Sequence, residues 1–225
     1  MLRPTPTVED YFGVIYTLER DGETVIEAKL ASWLKVSPPT VTGTVKRMIR
    51  DGWVTMSKSK EIVLTPQGRN AARSLVRRHM LTELLLARIL AVPWSRVHQE
   101  ADRMEHTLSD ETTERLDAFL ESPATCPHGN PLPGHEKLLE QLVPLDRAEA
   151  GRSWIVSRID EGVEGNQELM AYLECHGLMP GAAITIEEIM PFNQTITVRV
   201  NQEKVVLGTT VATHIYLCES TRQSS

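Results

Sequence analysis

Hydrophobic residues recur every three or four positions in the first fifty residues, a spacing typical of amphipathic helices. This spacing covers residues 8–19, Glu27–Leu34 and 40–51. Pro38 and Pro39 precede the third stretch and Gly52 follows it; proline favours a first helical turn and glycine a C-terminal cap. We therefore predict three short helices, the last two separated by a tight turn.

The spacing then changes to strict alternation, which is typical of half-buried strands. Residues 53–56 and 62–65 alternate around a polar tip at 57–61, and this predicts a short hairpin. Two longer helical patterns follow over 66–90 and 94–120, broken at Pro93.

The last third of the chain has a different character. Residues 121–151 are rich in proline and glycine and predict a connector. Beyond them, the pattern predicts strands at 154–159, 183–190, 195–200 and 215–218, with one helix near 166–175. We expect an α+β protein, without internal repeats.

Helix, turn, helix and hairpin within residues 27–65 are the elements of a winged helix-turn-helix. Small hydroxyl side chains begin its second helix, and basic residues follow there and on the wing; such groups contact bases and phosphates. The candidate DNA-binding residues are Ser37, Pro39, Thr40, Thr42, Lys46, Arg47, Arg50, Lys58 and Lys60. Winged helices also bind proteins, which is the alternative.

Charge favours DNA. Residues 1–78 hold 13 Lys and Arg against 8 Asp and Glu, whereas the remainder holds 11 against 22. A basic first third in a protein of net charge −6 indicates that this third meets an anionic partner.

Composition excludes several classes of protein. Hydrophobic residues make up 41% of the 225 positions and charged residues 24%, which is ordinary for a globular protein. No apolar run reaches the roughly 18–20 residues of a membrane span, and no secretory signal is visible. Three cysteines are too few for a disulfide framework and fit a reducing compartment. We expect a cytoplasmic protein with no membrane partner.

Histidines and carboxylates cluster at 98–106. On a continuous helix His98, Asp102, Glu105 and His106 would share one face, being i, i+4, i+7 and i+8. His79 and Glu83 form another i, i+4 pair, and Cys126-Pro-His128 lies in the connector. Any one pair could be a solvated face, but so many groups on neighbouring helices favour a divalent-metal site.

The chain resembles the diphtheria toxin repressor/manganese transport regulator family of metal-dependent transcriptional repressors. The resemblance covers nearly the whole chain and rests on these stretches: Val8-Glu-Asp-Tyr11, 34–42, Leu64-Thr-Pro-Gln-Gly68, Arg78-His79 through Glu83, 100–110, Cys126-Pro-His-Gly-Asn-Pro131, His176-Gly-Leu-Met-Pro-Gly181 and Leu207-Gly208.

The resemblance implies three domains: a winged helix at 1–66, a helical metal-binding and dimerisation domain at 67–140, and, after a linker at 141–152, an SH3-like, FeoA-like β-barrel at 153–225. It also implies two metal sites per protomer. The primary site would take Asp10, Asp102, Glu105, His106 and Cys126. The ancillary site would take His79, Glu83 and His98, with His128 and Glu168 as further ligands; Glu164 and Asp160 are alternatives to Glu168.

Iron-responsive members carry Met and Cys where this chain has Asp10 and Asp102. Hard carboxylate oxygens suit Mn²⁺ better than sulfur does, so we expect Mn(II), with Fe(II) as the alternative. The residue one turn after Asp10 is Gly13 rather than the Glu of two-domain manganese regulators, which disfavours their binuclear arrangement.

The expected function is metal-dependent repression of genes for metal-ion uptake and homeostasis. A homodimer would present two recognition helices about 34 Å apart to successive major grooves. Its surface would include Leu84, Leu85, Leu86, Ile89 and Leu90. Metal would join the DNA-binding domain to the dimerisation helices, since the carboxylates at 10, 102 and 105 repel each other without it.

Two other functions are compatible with these residues. A metallohydrolase would need an open coordination position, a general base and a substrate pocket, and no motif of that kind is visible. A constitutive DNA-binding protein with a structural metal is the other. We expect no enzyme.

Overall fold

A computed structural model describes residues 4–219. Contacts divide the chain into two compact units. Within the described residues, the first unit contains 4–79 together with 104–113, and the second contains 80–103 and 114–219. No helix within 4–219 combines the length and the hydropathy needed to cross a membrane.

Nine α-helices and eight strands lie within the described residues, together with short 3-10 turns and loops. The helices are α1 (Pro6–Arg20), α2 (Glu27–Leu34), α3 (Pro38–Arg50), α4 (Pro66–Arg88), α5 (Val97–Met104), α6 (Asp110–Phe119), α7 (Glu161–Glu164), α8 (Gln167–Cys175) and α9 (Thr209–Ala212). The strands are β1 (Val54–Met56), β2 (Ile62–Leu64), β3 (Val143–Pro144), β4 (Ser153–Ile159), β5 (Ala183–Met190), β6 (Thr195–Val200), β7 (Glu203–Gly208) and β8 (Ile215–Glu219).

The first unit is a winged helix-turn-helix, as the pattern predicts. Helices α1 and α3 contact the β1–β2 hairpin, whose register pairs Val54 with Leu64, and α2 packs against α1 and α3. Phe12 and Trp53 meet edge-to-face in the core, with ring centroids 5.5 Å apart. Glu19 accepts from the Leu64 backbone N–H at 2.9 Å and thereby ties α1 to the wing.

The helix-turn-helix is set by local signals. Helix α2 ends at Lys35, which takes the left-handed conformation (φ 54°) that ends many helices. Ser37 caps α3 by accepting from the Thr40 backbone N–H at 3.4 Å, and Pro38 occupies the first helical position.

The second unit contains a six-stranded antiparallel sheet in the order β3-β8-β4-β5-β6-β7. Its buried face is a cluster of apolar side chains that includes Val156, Ile186, Val198 and Leu217. The sheet shifts register in β4 between Val156 and Arg158. Strand β3 comes from the segment predicted to be a linker.

Helix α8 contacts the 3-10 turn that precedes α5. Glu174 on α8 accepts from the backbone N–H of Trp94 at 2.9 Å and from the Ser95 hydroxyl at 2.6 Å. A carboxylate is thus placed at the start of this turn, where backbone donors lack intrahelical partners.

The helix predicted over 94–120 is wrong. The pattern over 94–120 is not one helix: α5 ends at Met104, residues 105–107 form a 3-10 turn, and Ser109 caps α6 by accepting from the Thr112 N–H at 3.2 Å. The single face expected for residues 98–106 is therefore interrupted, because only His98 and Asp102 lie on α5, whereas Glu105 and His106 lie in the 3-10 turn.

Strand β7 was not predicted, although Val205 and Leu207 alternate with exposed residues along it. Asn201 and Gln202 before it both have positive φ, 47° and 70°. Such a turn joins hairpin strands. The signal in the sequence that could have revealed β7 is the alternation of Val205 and Leu207 with polar or exposed positions.

Candidate metal centre and nucleic-acid interface

The candidate DNA-binding residues lie at the start of α3, along α3 and at the tip of the wing. Eight of the nine are exposed, and Thr42 is half-buried. Lys58 and Lys60 stand on the wing, whose tip is closed by a bond from the Ser57 N–H to the Glu61 carbonyl at 2.8 Å. A short helix with exposed hydroxyl and basic groups can enter a major groove while the wing meets phosphate.

Among these residues, Thr42 and Arg50 each have a carboxylate partner within the first unit. The Thr42 hydroxyl donates to Glu27 Oε2 at 2.9 Å. The Arg50 guanidinium donates to the Asp51 carboxylate at 2.8 Å, and this hydrogen bond raises the pKa of Arg50. A phosphate would compete with these partners, so Thr42 and Arg50 are less available than Lys46 and Arg47.

The first unit gathers a set of side chains that we call the first histidine group: Glu9, His79, Glu105 and His106. His106 Nδ1 lies 2.8 Å from Glu9 Oε2, and its Nε2 lies 3.5 Å from Glu105 Oε1. His79 Nδ1 lies 2.7 Å from Glu105 Oε2. Two imidazoles thus flank a buried carboxylate from two sides.

Glu9 was not predicted as part of a site. It belongs to the matched stretch Val8-Glu-Asp-Tyr11, but Asp10 was chosen there instead. Asp10 is exposed on α1, whereas Glu9 is half-buried. The sequence separation between Glu9 and His106 is 97 residues, so no local pattern could relate them.

The second unit gathers the second histidine group: Glu83, His98, Cys126, His128 and Glu164. His98 Nδ1 lies 2.9 Å from Glu164 Oε2 and 3.2 Å from Glu83 Oε1. His128 Nδ1 lies 3.3 Å from Glu164 Oε1 and 3.4 Å from Glu83 Oε1. Ligand atoms of Glu83, Cys126 and His128 all lie within 4.8 Å of one another.

Backbone contacts fix the orientation of His128. Its Nε2 donates to the Trp94 carbonyl at 3.2 Å, and its ring meets the Trp94 indole edge-on, with centroids 4.7 Å apart. Its Nδ1 is buried and makes no hydrogen bond to any residue within 4–219. A bond that fixes one ring nitrogen leaves the other available as a metal ligand.

Burial makes this group unusual. Glu83, His128 and Glu164 are 1%, 0% and 2% exposed. Charged groups are almost never buried to this degree unless they are paired or bind a metal.

The pKa values reflect the same crowding. Burial lowers the pKa of both histidines, but the facing carboxylates outweigh it: that of His98 lies well above its usual value and that of His128 is raised. Burial raises the pKa of Glu164, and burial with the charges of Glu83 and Glu164 holds that of Cys126 well above its usual range. A cation entering this group would therefore displace protons.

The donor set fits a divalent transition metal. Two imidazoles, two carboxylates and one thiol converge, and His128 Nδ1 makes no hydrogen bond to any described residue. Imidazole and carboxylate donors suit Mn²⁺, Fe²⁺, Co²⁺ and Zn²⁺. A sulfur donor adds affinity for the softer members of that series.

The remaining predicted ligands lie as follows. Asp102 is exposed on α5, with Oδ2 3.9 Å from His98 Nε2. Glu168 is exposed on α8, and Asp160 pairs with His214 at 2.9 Å. Glu164, one of the alternatives to Glu168, is the C-terminal acid that lies within 3.3 Å of both His98 and His128.

Three family models match the chain. Residues 4–62 match the iron dependent repressor, N-terminal DNA binding domain. Residues 65–134 match the iron dependent repressor, metal binding and dimerisation domain, and residues 143–217 match the FeoA domain.

Curated relatives cover most of the chain. It is 38% identical over 192 residues to the iron-dependent repressor IdeR of Mycobacterium tuberculosis (strain ATCC 25618 / H37Rv), covering 80% of this chain and 84% of that protein. It is 34% identical over 202 residues to the diphtheria toxin repressor of Corynebacterium jeikeium (strain K411), with the same coverage of 80% and 84%. Among solved structures, a manganese-dependent transcriptional repressor in complex with manganese superposes with a TM-score of 0.82 at 28% identity, covering 94% of this chain and 99% of that one.

Proposed function

Because the chain belongs to the diphtheria toxin repressor/manganese transport regulator family of metal-dependent transcriptional repressors, we propose that it represses genes of metal-ion uptake and homeostasis when loaded with Mn(II). It would bind operator DNA as a homodimer in the cytoplasm. Residues on α3 and the wing would contact DNA, with Lys46 and Arg47 foremost, because they are exposed and basic.

The second histidine group is the observation that carries the metal part of this proposal. We propose that Glu83, His98, His128 and Glu164 form one site, with the Cys126 thiol beside it. The buried carboxylates would neutralise the cation, and His128 would bind through Nδ1 while Nε2 stays on the Trp94 carbonyl. A bound divalent cation would supply positive charge opposite the Glu83 and Glu164 carboxylates.

The other proposed site is the primary one. Its proposed ligands are Asp10, Asp102, Glu105 and His106, with Glu9 as a residue that orients His106 at 2.8 Å. Cys126, predicted for this site from the resemblance, lies beside Glu83 and His128 within the second unit. We therefore propose Cys126 for the second site.

Manganese is proposed over iron because Asp10 and Asp102 offer hard oxygens. The curated relatives are named for iron and several solved structures for manganese, so Fe(II) is the competing activator. The Cys126 thiol in the second site is compatible with either ion.

We propose binding rather than catalysis. A metallohydrolase needs an open coordination position in a substrate cavity. Most ligand atoms of the second histidine group are instead buried among protein atoms, as expected for a site that stabilises one arrangement of the chain.

A metal titration of DNA binding tests the proposal. Duplexes selected from a random pool by the Mn²⁺-loaded protein serve as operator. Affinity should rise at least tenfold, about 1.4 kcal/mol of coupling, between chelator and Mn²⁺. His106→Ala should abolish this rise, and His79→Ala should weaken it less.

His135→Ala is the matched control, since this histidine is exposed and outside both groups. It should respond to Mn²⁺ like the wild type. Equal DNA affinity with and without Mn²⁺ would contradict metal-dependent repression and would support a constitutive DNA-binding protein. A panel of Mn²⁺, Fe²⁺, Co²⁺ and Zn²⁺ in the same assay ranks the activators.

A further inference from the structure

Three buried side chains form a chain of hydrogen bonds that ends at the second histidine group. Arg158 Nε donates to Asn130 Oδ1, and Asn130 Nδ2 donates to Glu164 Oε1 at 2.6 Å. All three residues are at most 2% exposed. Neither side chain is a metal ligand here, because the Asn130 oxygen accepts from Arg158 and a guanidinium carries only donors.

Hydrogen bonds to both its oxygen and its nitrogen fix the orientation of the Asn130 side-chain amide. Its oxygen accepts from Arg158, and its second N–H donates to the Ile159 carbonyl at 2.8 Å. A flipped amide would turn its oxygen toward two acceptors and its N–H₂ toward a donor. Only one orientation therefore satisfies the network.

Arg158 is held in turn by the sheet. Its Nη2 donates to Glu161 Oε2 at 3.1 Å, and its guanidinium lies 5.0 Å from the centre of the Tyr216 ring on β8. The network therefore fixes an acid on α7 relative to β4 and β8.

These hydrogen bonds fix the orientation of the Glu164 carboxylate. Oε1 takes the Asn130 N–H and lies 3.3 Å from His128 Nδ1, while Oε2 lies 2.9 Å from His98 Nδ1. With Oε1 anchored, rotation of the carboxylate would break the 2.6 Å bond, so each oxygen stays opposite one imidazole.

We propose that Asn130 is a positioning residue for metal binding: through Arg158 on one side and Glu164 on the other, it holds the carboxylate for a cation in the second histidine group. The inference rests on the proposed metal function. Residues that orient ligands in this way change metal affinity by about 10–100-fold when replaced.

Asn130→Asp tests the inference in the full-length protein. Asp keeps the size and an acceptor for Arg158, whose charge keeps the new carboxylate ionised, but it presents an oxygen instead of an N–H to Glu164. Calorimetric titration with Mn²⁺, and the visible absorption of bound Co²⁺, should show about 10–100-fold weaker binding at one site and no change at the other. If Asn130→Asp does not fold, Asn130→Ala removes the same donor without adding charge.

A double-mutant cycle separates positioning from general damage. In a Glu164→Gln background the carboxylate is gone, so Asn130→Asp should add little further loss of affinity. An undiminished further loss, or wild-type affinity in Asn130→Asp alone, would overturn the inference. Val205→Ala on β7 is the control: it truncates a buried residue of the same sheet, and it should lower thermal stability without changing metal affinity.

The same titrations distinguish the two levels of the proposal. If Glu164→Gln weakens metal binding and Asn130→Asp does not, only the positioning role fails. If Glu164→Gln binds metal like the wild type, the assignment of the second site fails and the inference with it. If Val205→Ala loses as much metal affinity as Asn130→Asp, the effect of Asn130→Asp is due to destabilisation of the domain, and the positioning role fails.

Discussion

Gly129 lies where the connector contacts strand β4, and we expect Gly129→Ala to push the connector away from that strand and weaken the hydrogen bonds between them. The glycine has φ 85°, in the left-handed region, and an added Cβ would lie 2.0 Å from the Ser157 carbonyl oxygen and 2.9 Å from the Arg158 Cα. Real Cβ atoms essentially never approach closer than 3.0 Å, so the two backbones must separate by about 1 Å.

The cost follows from what that separation breaks. The left-handed conformation itself costs about 1–2 kcal/mol for a residue with a Cβ. The bonds from the Ile159 N–H to the His128 carbonyl and from Asn130 to the Ile159 carbonyl, both 2.8 Å, would lengthen. Each contributes about 0.5–1.5 kcal/mol, so the total loss is about 2–5 kcal/mol.

Differential scanning calorimetry of the metal-free protein measures this loss. We expect the transition of the second unit to fall by at least about 6 °C. Mn²⁺ affinity at one site should fall as well, because His128 lies on the displaced segment.

Gly165→Ala is the matched control. This glycine has φ −72°, and its added Cβ would meet nothing within 4 Å. Its effect should lie within about 0.5 kcal/mol of zero. Equal thermal transitions for Gly129→Ala and Gly165→Ala would refute the claimed close approach of connector and strand.

Two further predictions concern pH and metal selectivity. The hydrogen bond from His214 to Asp160 raises the pKa of His214, so the pair adds stability that is present below the unfolded pKa of about 6.5 and is lost as pH rises through the folded value. The difference in melting temperature between wild type and His214→Gln, measured by calorimetry, should therefore shrink between pH 6 and pH 8; a constant difference would contradict the ion pair. Asp10→Met combined with Asp102→Cys should shift activation of operator binding from Mn²⁺ toward Fe²⁺, Co²⁺ or Ni²⁺, because sulfur ligands suit those ions better. An unchanged ranking over a concentration series of each metal would place selectivity in the second histidine group.

The helix-turn-helix was predictable because its signals are local. Helix α2 has the predicted bounds, Glu27–Leu34, and α3 begins at Pro38, two residues before the predicted start at residue 40. Capping, proline placement and amphipathic spacing act within a few residues, and a sequence displays them directly. The family was predictable for a related reason, since several short motifs occur together in the right order.

The end of α5 was not predictable from spacing alone. Residues 94–120 keep a helix-compatible pattern, yet the chain leaves the helix at Met104 and restarts at Asp110. The 3-10 turn places Glu105 beside His79 and His106. Tertiary pairing thus overrides a weak local preference.

The composition of each histidine group was decided by the tertiary structure. The sequence indicated which residue types bind metal, but not that Glu9 would meet His106, or that Glu164 rather than Glu168 would face His98 and His128. These pairs join positions up to 97 residues apart, so only packing brings them together.

Asn130 shows the same division. In the sequence it is one polar residue of a connector, and nothing there relates it to Arg158 or Glu164. Local chemistry determined the elements and the kind of function, because helix signals and ligand types are properties of single residues and short spacings. The partner of each buried polar group was determined only by the tertiary structure. A buried polar group requires a hydrogen-bond partner, and the packing of distant segments decides which partner lies within hydrogen-bonding distance.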